Sequence, residues 1–378
     1  MIRRLLDAVA VSALAACLAV ALVLQAAVPA DVNDKGVQAE PPAPPGEPWQ
    51  ESYIGERQVQ EVYGSAADQI DAAQAGQLLL GLVNDARDKW GEGALAWDEL
   101  AAQTARQHAE EMAQQHYVNH YSLGGLKCEA RYNALGGTDQ IAENIAYYEI
   151  NYPVYVTPQL VTRMHQHWME SASHSANVLD PAHTQLGCAF VVTREKGHSY
   201  VAGVVEFINH YGDYDRLPAQ AAPGDTLHLS GTLDAPPPRG GGRATLLYAG
   251  LGSEDLPFAR DVAYQMSHIG GYSPPQVALA LLPSGELGRS SVGGGGAGGS
   301  PAVTGGPTAR PTYHRYNVDY DEASGRFSVD IKLEPQWPRA AYYITVWVTA
   351  GGRPSLDAFS VGRAAVPFCT MCQVVLVN

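Results

Sequence analysis

The stretch LVNDARDKWGEGALAWDELAAQTARQHAEEMAQQHYVNHYS, residues 82–122, decides how the chain folds. From about residue 72 onward, Leu79, Leu82, Val83 and Ala86 recur at three- and four-residue steps and stop near Gly91, which predicts one amphipathic helix. A second helix follows Asp98. Its apolar face carries Ala101, Ala105, Ala109 and Met112, and Glu110 and Glu111 point outward. His108 lies on or beside that face, where a hydrogen-bonded core histidine is the plain reading. His116 and His120 are four apart, the spacing that shares one helix face, but the Gly-Gly turn soon afterwards puts His120 just past the helix end.

Working outward, Thr157-Pro158 reads as an N-cap followed by proline at the first helical position, opening a third helix through Val161, Met164, His165 and Trp168. CAFVVTRE (188–195) and SYVAGVVEFI (199–208) are β-rich and separated by Lys196-Gly197, a hairpin pattern. Helices followed by a hairpin predict a mixed α+β domain over 72–216. Beyond it the texture changes. RFSVDIKLE (326–334) alternates strictly, with Phe327, Val329, Ile331 and Leu333 on one face, and YYITVWVT (342–349) is a second long strand. These predict an antiparallel all-β sandwich over 222–378, immunoglobulin-like in type, with the Gly-rich stretch 288–309 as a loop within it. Tyr343 and Trp347 read as core packing rather than as a carbohydrate- or protein-binding surface.

The N-terminal end bears on compartment. Arg3 and Arg4 precede an apolar run from Ala8 to Ala30, and Val28-Pro29-Ala30 has the small-residue spacing of a signal-peptidase site. Residues 1–30 therefore read as an export signal or a retained membrane anchor, with Leu14-Ala15-Ala16-Cys17 as a third, lipidated alternative. A Pro-rich linker over 31–71 follows. Apart from Cys17, four cysteines remain, an even count that fits two disulfides outside the cytosol, Cys128–Cys188 and Cys369–Cys372. The Cys369-x-x-Cys372 spacing also occurs in redox-active and zinc-binding pairs.

Composition narrows the function classes. The 378 residues hold 24 Lys+Arg against 39 Asp+Glu, a formal charge of −15. Binding driven by phosphate neutralisation, and electrostatic docking on an anionic membrane, both call for the opposite sign. No nucleic-acid partner is expected, and membrane contact is expected only through the N-terminal segment. The motifs HExxH, GxxxxGK[ST] and GxSxG are absent, and no GxGxxG opens a helix. The residues that stand out are His120, Glu143 in IAENIAYY, and His174 in HWMESASHSANVLD. Spacing alone cannot bring Glu143 to His120.

The 82–122 stretch resembles the opening of the bacterial branch of the CAP superfamily, which holds cysteine-rich secretory proteins, antigen 5 and plant pathogenesis-related proteins. Asn84 and Arg87 stand at its NxxR positions, and Trp97, Asp98 and Leu100 at the entry to its second helix. His108 matches an HA pair, and YVNHYS an aromatic-Ser-His stretch ending on His120. Arg131 and Gly136 match an R…G element, IAENIAYY the family's GENIA, and HWMESASHSANVLDP its WMxSPGHRxNIL. The likeness covers about 145 residues and implies an α-β-α sandwich with a shallow cleft. Carried over residue by residue, it implies that His120, Glu143 and His174 line the cleft and hold an exchangeable divalent ion such as Zn²⁺, with Glu170 and Ser171 as further cleft residues. The family's second glutamate position is Ser171 here. Ala142, Ser173 and Ser175 replace a Gly, a Gly and an Arg. Cys188 stands at a usual Gly, which fits a disulfide particular to this lineage.

The resemblance implies a secreted or envelope-tethered, non-enzymatic binding protein. Its cleft would take a metal or a small ligand, lipid included, and its β domain would contact the cell surface or a protein partner. A metal-assisted hydrolase or peptidase using the same cleft is the alternative, and an inert envelope protein the third reading.

Overall fold

The computed structural model describes residues 56–234, 244–255, 278–282, 312–315, 319–321, 324–336, 339–350 and 368–377. The N-terminal apolar segment, the prolines at 41–48 and the Gly-rich stretch 288–309 lie outside the described residues. Among the described residues no helix is long and apolar enough to cross a membrane.

Helix α1 (Glu56–Tyr63) falls inside the stretch read as linker. Its Val59 and Tyr63 are buried with the main core, so the packed region begins before residue 72. Helix α2 (Ala72–Trp90) runs as the periodicity predicts, and Asp71 closes a capping box with Gln74 at its start. Gly91 ends it at φ 75°, a left-handed position glycine adopts without a Cβ penalty. After the short strand β1 (Ala96–Trp97), helix α3 (Glu99–Gln115) is capped by Asp98 and ends on His116 at φ 56°. His120 therefore lies past the helix, as the sequence predicts. Helix α4 (Cys128–Leu135) follows, then strand β2 (Gln140–Ile150). Helix α5 (Pro158–Glu170) is capped by Thr157, and helix α6 (Ala172–Val178) follows it.

Strands β3 (Gln185–Glu195) and β4 (His198–Asn209) form the predicted hairpin, and the sheet order is β1-β3-β4-β2. Alternation along these strands sends two sets of side chains to two helical layers. Ala142, Ala146, Leu186, Cys188, Val201, Val205 and Phe207 pack with α1, α2 and α5 around the fully buried Trp168. Ile145, Ala202 and Val204 pack with Ala105, Ala109 and Met112 of α3. The domain is thus an α-β-α stack.

Close approach of α3 to the sheet depends on Gly187. A Cβ there would meet Ala102 N at 2.1 Å and Asp98 O at 2.5 Å, both backbone atoms that cannot swing away. Gly187→Ala is expected to destabilise the domain by about 1–3 kcal/mol or more through overpacking. A denaturation midpoint unchanged from the parent would show that α3 yields freely.

The C-terminal region contains two sheets. One pairs β11 (Asp319–Asp321), β12 (Arg326–Lys332), β7 (Thr226–Leu233) and β5 (Gly212–Tyr214). The other pairs β10 (Thr312–Arg315), β9 (Ala278–Leu282), β8 (Ala244–Asp255), β13 (Ala340–Ala350), β14 (Phe368–Val377) and β6 (Gln220–Ala221). Leu227, Leu229, Phe327, Val329 and Ile331 of the first sheet share one core with Tyr342, Ile344, Val346, Met371 and Val375 of the second. The wholly antiparallel arrangement expected from sequence is corrected: β10 runs parallel to β9, and β14 parallel to β6. Tyr343 is buried, in keeping with core packing.

The disulfide expectation is also corrected. Cys128, Cys188, Cys369 and Cys372 are all buried thiols. Cys188 faces the α2/α5 layer, whereas Cys128 packs with Ala101, Ile141 and Ile208 on the opposite side of the sheet, so the sheet itself separates them. Cys369 and Cys372 are three residues apart on one strand, roughly 10 Å in extended geometry, beyond the reach of a disulfide.

Candidate functional site

The candidate site forms where β2 is the free edge of the sheet. Glu143 projects to the α3 side of that strand, and the loop after α3 carries His120 over it. His108, buried within α3, holds the loop by donating from Nε2 to Asn119 O at 2.7 Å. Burial, with the nearby Arg131 charge, pushes His108 down to about 3, so it is neutral and serves as an anchor. The core-histidine reading of His108 therefore stands.

His120 Nδ1 lies 2.8 Å from Glu143 Oε1. A carboxylate only accepts, so Nδ1 carries the proton and, in the neutral ring, Nε2 keeps its lone pair. The other oxygen, Oε2, takes the Arg131 guanidinium. Burial alone would raise Glu143, but Arg131, His108 and the His120 hydrogen bond outweigh it and hold the carboxyl far below the usual carboxylate range. Arg131 also donates to His120 O at 2.9 Å and Leu126 O at 2.8 Å.

Directly across from Glu143 in the β2–β4 register stands Glu206. It is fully buried, with Arg131 Nη2 at 3.7 Å from its Oε1. Burial, then the Glu143 charge, push its carboxyl well above the ordinary range, which disfavours its charged form. One guanidinium thus lies against two carboxyl groups whose charged forms are shifted in opposite directions.

His174 reaches the same edge from the opposite layer. Asn144 Nδ2 donates to His174 O at 2.9 Å, and Asn177 Nδ2 donates to Glu143 O at 3.2 Å and Asn144 Oδ1 at 3.0 Å. These bonds fix α6 against β2. Trp168 Nε1 donates to Ile145 O at 3.0 Å along the same edge. Burial, then the neighbouring His120 and His167, lower His174 to about 4. His120 and His174 therefore sense each other across the strand edge. His167 stacks on Tyr148 and meets its hydroxyl at 2.9 Å, adding a third imidazole to this side.

The structure joins His120 to Glu143 directly and sets His174 near His120. It does not bring in the other two expected residues. Glu170 is exposed at the end of α5 and acts electrostatically on His167. Ser171 sits at the α5–α6 junction, where its Oγ meets Ser173 Oγ at 3.2 Å. Sequence reasoning missed Glu206 altogether and gave Arg131 no role. The available signal was an acid on an apolar strand face, flanked by Val204, Val205, Phe207 and Ile208.

Among the described residues no three His, Cys, Asp or Glu side chains form a group that could hold a metal ion. Both Glu143 oxygens are committed, so this carboxylate holds His120 in place and is not disposed as a ligand. What remains at this edge is the pair of imidazoles of His120 and His174.

Residues 80–207 match the model of the cysteine-rich secretory protein (CAP) family. An uncharacterized membrane protein of Bacillus subtilis, YlbC, is 32% identical over 111 residues, which span 29% of this chain and 29% of that protein. An extracellular SCP-domain protein of Bacillus anthracis aligns at 24% identity over 36% of this chain and 41% of its own, with a TM-score of 0.29. An outer surface protein of Borrelia burgdorferi aligns at 18% identity over 37% of this chain and 96% of its own, with a TM-score of 0.32.

Proposed function

We propose that this is an exported or envelope-tethered CAP-domain binding protein. Its β2-edge cleft takes a divalent cation, Zn²⁺ or a similar ion, or a small ligand, lipids included, without catalysing a reaction. The observation that carries this reading is the His120–Glu143 bond. It presents Nε2 of His120 as an acceptor beside a second imidazole, His174, that burial keeps neutral. Metal binding requires deprotonated imidazoles, and burial keeps His174 in that form down to about pH 4. A bound ion would be held by His120 and His174 and would supply an electrophilic contact for a carbonyl or anionic headgroup.

The hydrolase alternative needs a free base beside the metal. Glu143 is poorly suited to that task, since its ion pair with Arg131 makes it a weak proton acceptor. Export is supported by the N-terminal Arg3-Arg4 and apolar run and by the extracellular and surface proteins among the relatives. An immunoglobulin-like class for the β region, and its role in contacting a cell-surface or protein partner, belong to the same proposal.

Isothermal titration of Zn²⁺ into the apo-protein tests the cleft. Binding is expected for the parent, to be weakened at least tenfold in His120→Ala or His174→Ala, and to be lost in the double variant. Unchanged affinity in the double variant would remove the metal reading. A lipid-extract binding screen on the same proteins separates ligand binding from metal binding.

A further inference from the structure

We infer that the β region is a working part of the cleft, because the short helix α4 clasps the His120 loop on one side and strands β13 and β14 on the other. The inference rests on His120–Glu143 being the ligand-facing pair.

The first half of the clasp is Arg131. From the middle of α4 its guanidinium holds His120 O, Leu126 O and the Glu143 carboxylate, so the position of α4 sets the position of His120. The loop between has its own tightening: Ser122 N donates to Leu126 O at 2.9 Å, and Leu126 N to Ser122 Oγ at 3.0 Å.

The second half is Asn133, two residues further on. Its Nδ2 donates to Cys372 O at 3.0 Å and its Oδ1 accepts from Val374 N at 2.8 Å. A single side-chain amide thus pairs with the β14 main chain as a neighbouring strand would. Cys372 N donates to Thr138 O at 3.2 Å, and Asp139 bridges to Met371, so the main chain just before β2 is tied to the same strand.

Lys127 closes the arrangement at the start of α4. It is fully buried, with Nζ 5.6 Å from the Tyr121 ring centroid and 5.0 Å from that of Tyr343 on β13. Tyr121 follows His120 directly in the chain, so a desolvated cation joins the residue next to the cleft histidine to the β region. Asn133, Lys127 and Tyr343 are positioning residues: they act on the cleft through α4 and touch no ligand.

Amide hydrogen exchange of residues 119–127 and the His120 imidazole NMR signal, both in the full chain without added metal, test this. Asn133→Ala keeps a good helix former in α4 and removes the tie to β14. Tyr343→Leu keeps apolar volume and removes the ring. Each is expected to speed exchange of the loop by about tenfold, the scale of one or two lost hydrogen bonds, and to shift the His120 signal. Tyr343→Phe and Lys127→Arg, which keep ring and cation, are expected to match the parent. Val329→Ala weakens the β core away from the clasp and is expected to leave loop and signal unchanged. The coupling is overturned if Asn133→Ala and Tyr343→Leu both leave loop and signal as in the parent, or if Val329→Ala disturbs them equally. Because no metal is added, a coupled loop that fails to bind Zn²⁺ would sink only the metal reading.

Discussion

Replacing Arg131 with Met is expected to lower the unfolding free energy by about 3–5 kcal/mol, the range for a buried charge stripped of its partner. Glu143 is buried, and its remaining partners would be His120 and the more distant His108. His120 O and Leu126 O would lose a donor at the same time. Glu143→Gln in the same chain removes the stranded charge yet keeps an oxygen for His120 Nδ1. The double variant is therefore expected to recover part of the loss, though not the part that belongs to the two carbonyls. Urea denaturation of the four proteins gives the coupling directly. A cost below about 1 kcal/mol for Arg131→Met, in the range of exposed pairs, would mean the charges are solvated in solution.

Acidification is expected to be the second large effect. His108 and His174 titrate near 3 and 4 in the fold against 6.5 in the unfolded chain. Between pH 6.5 and about 4 the unfolded chain takes up protons that the fold refuses, so stability is complete above 6.5 and is lost as pH falls. His165, His167 and His183 are lowered by burial and add the same sign. Glu143, held far below its ordinary 4.5, extends the loss below that pH. Glu206 opposes it: its raised carboxyl costs stability above pH 4.5, and acid relieves that cost. His210 and Asp139, both raised, also oppose. The lowered histidines outnumber these groups, so the net slope is downward, a few kcal/mol between pH 7 and 4. Urea midpoints measured across that range should fall steadily, and less so in His108→Gln. A flat profile would contradict the burial of these rings.

The elements differ in how fully local sequence specifies them. Helices α2, α3 and α5 could be read because their apolar steps, caps and the stop at Gly91 are all local. The β3–β4 hairpin could be read from Lys196-Gly197. His120 and Glu143 lie 23 residues apart on a loop and a strand, so only resemblance to a known family paired them. Glu206 needed more: it faces Glu143 through the β2–β4 register, and register is not written in either strand alone. The disulfides failed for a related reason. Counting cysteines gives parity, whereas pairing depends on which side of a sheet each residue faces. Helix α1 was hidden because EPPAPPGEP just upstream dominates the local composition.

An edge strand offers unpaired backbone acceptors that a second chain can extend. Here the Trp168 indole and the Asn177 amide already fill the acceptors of Ile145 and Glu143. Two side chains imitate the missing neighbour strand without supplying one. Two of the backbone acceptors of this flank are thereby already filled. The residues that pin α5 and α6 in place thus also occupy backbone acceptors that an added strand would need.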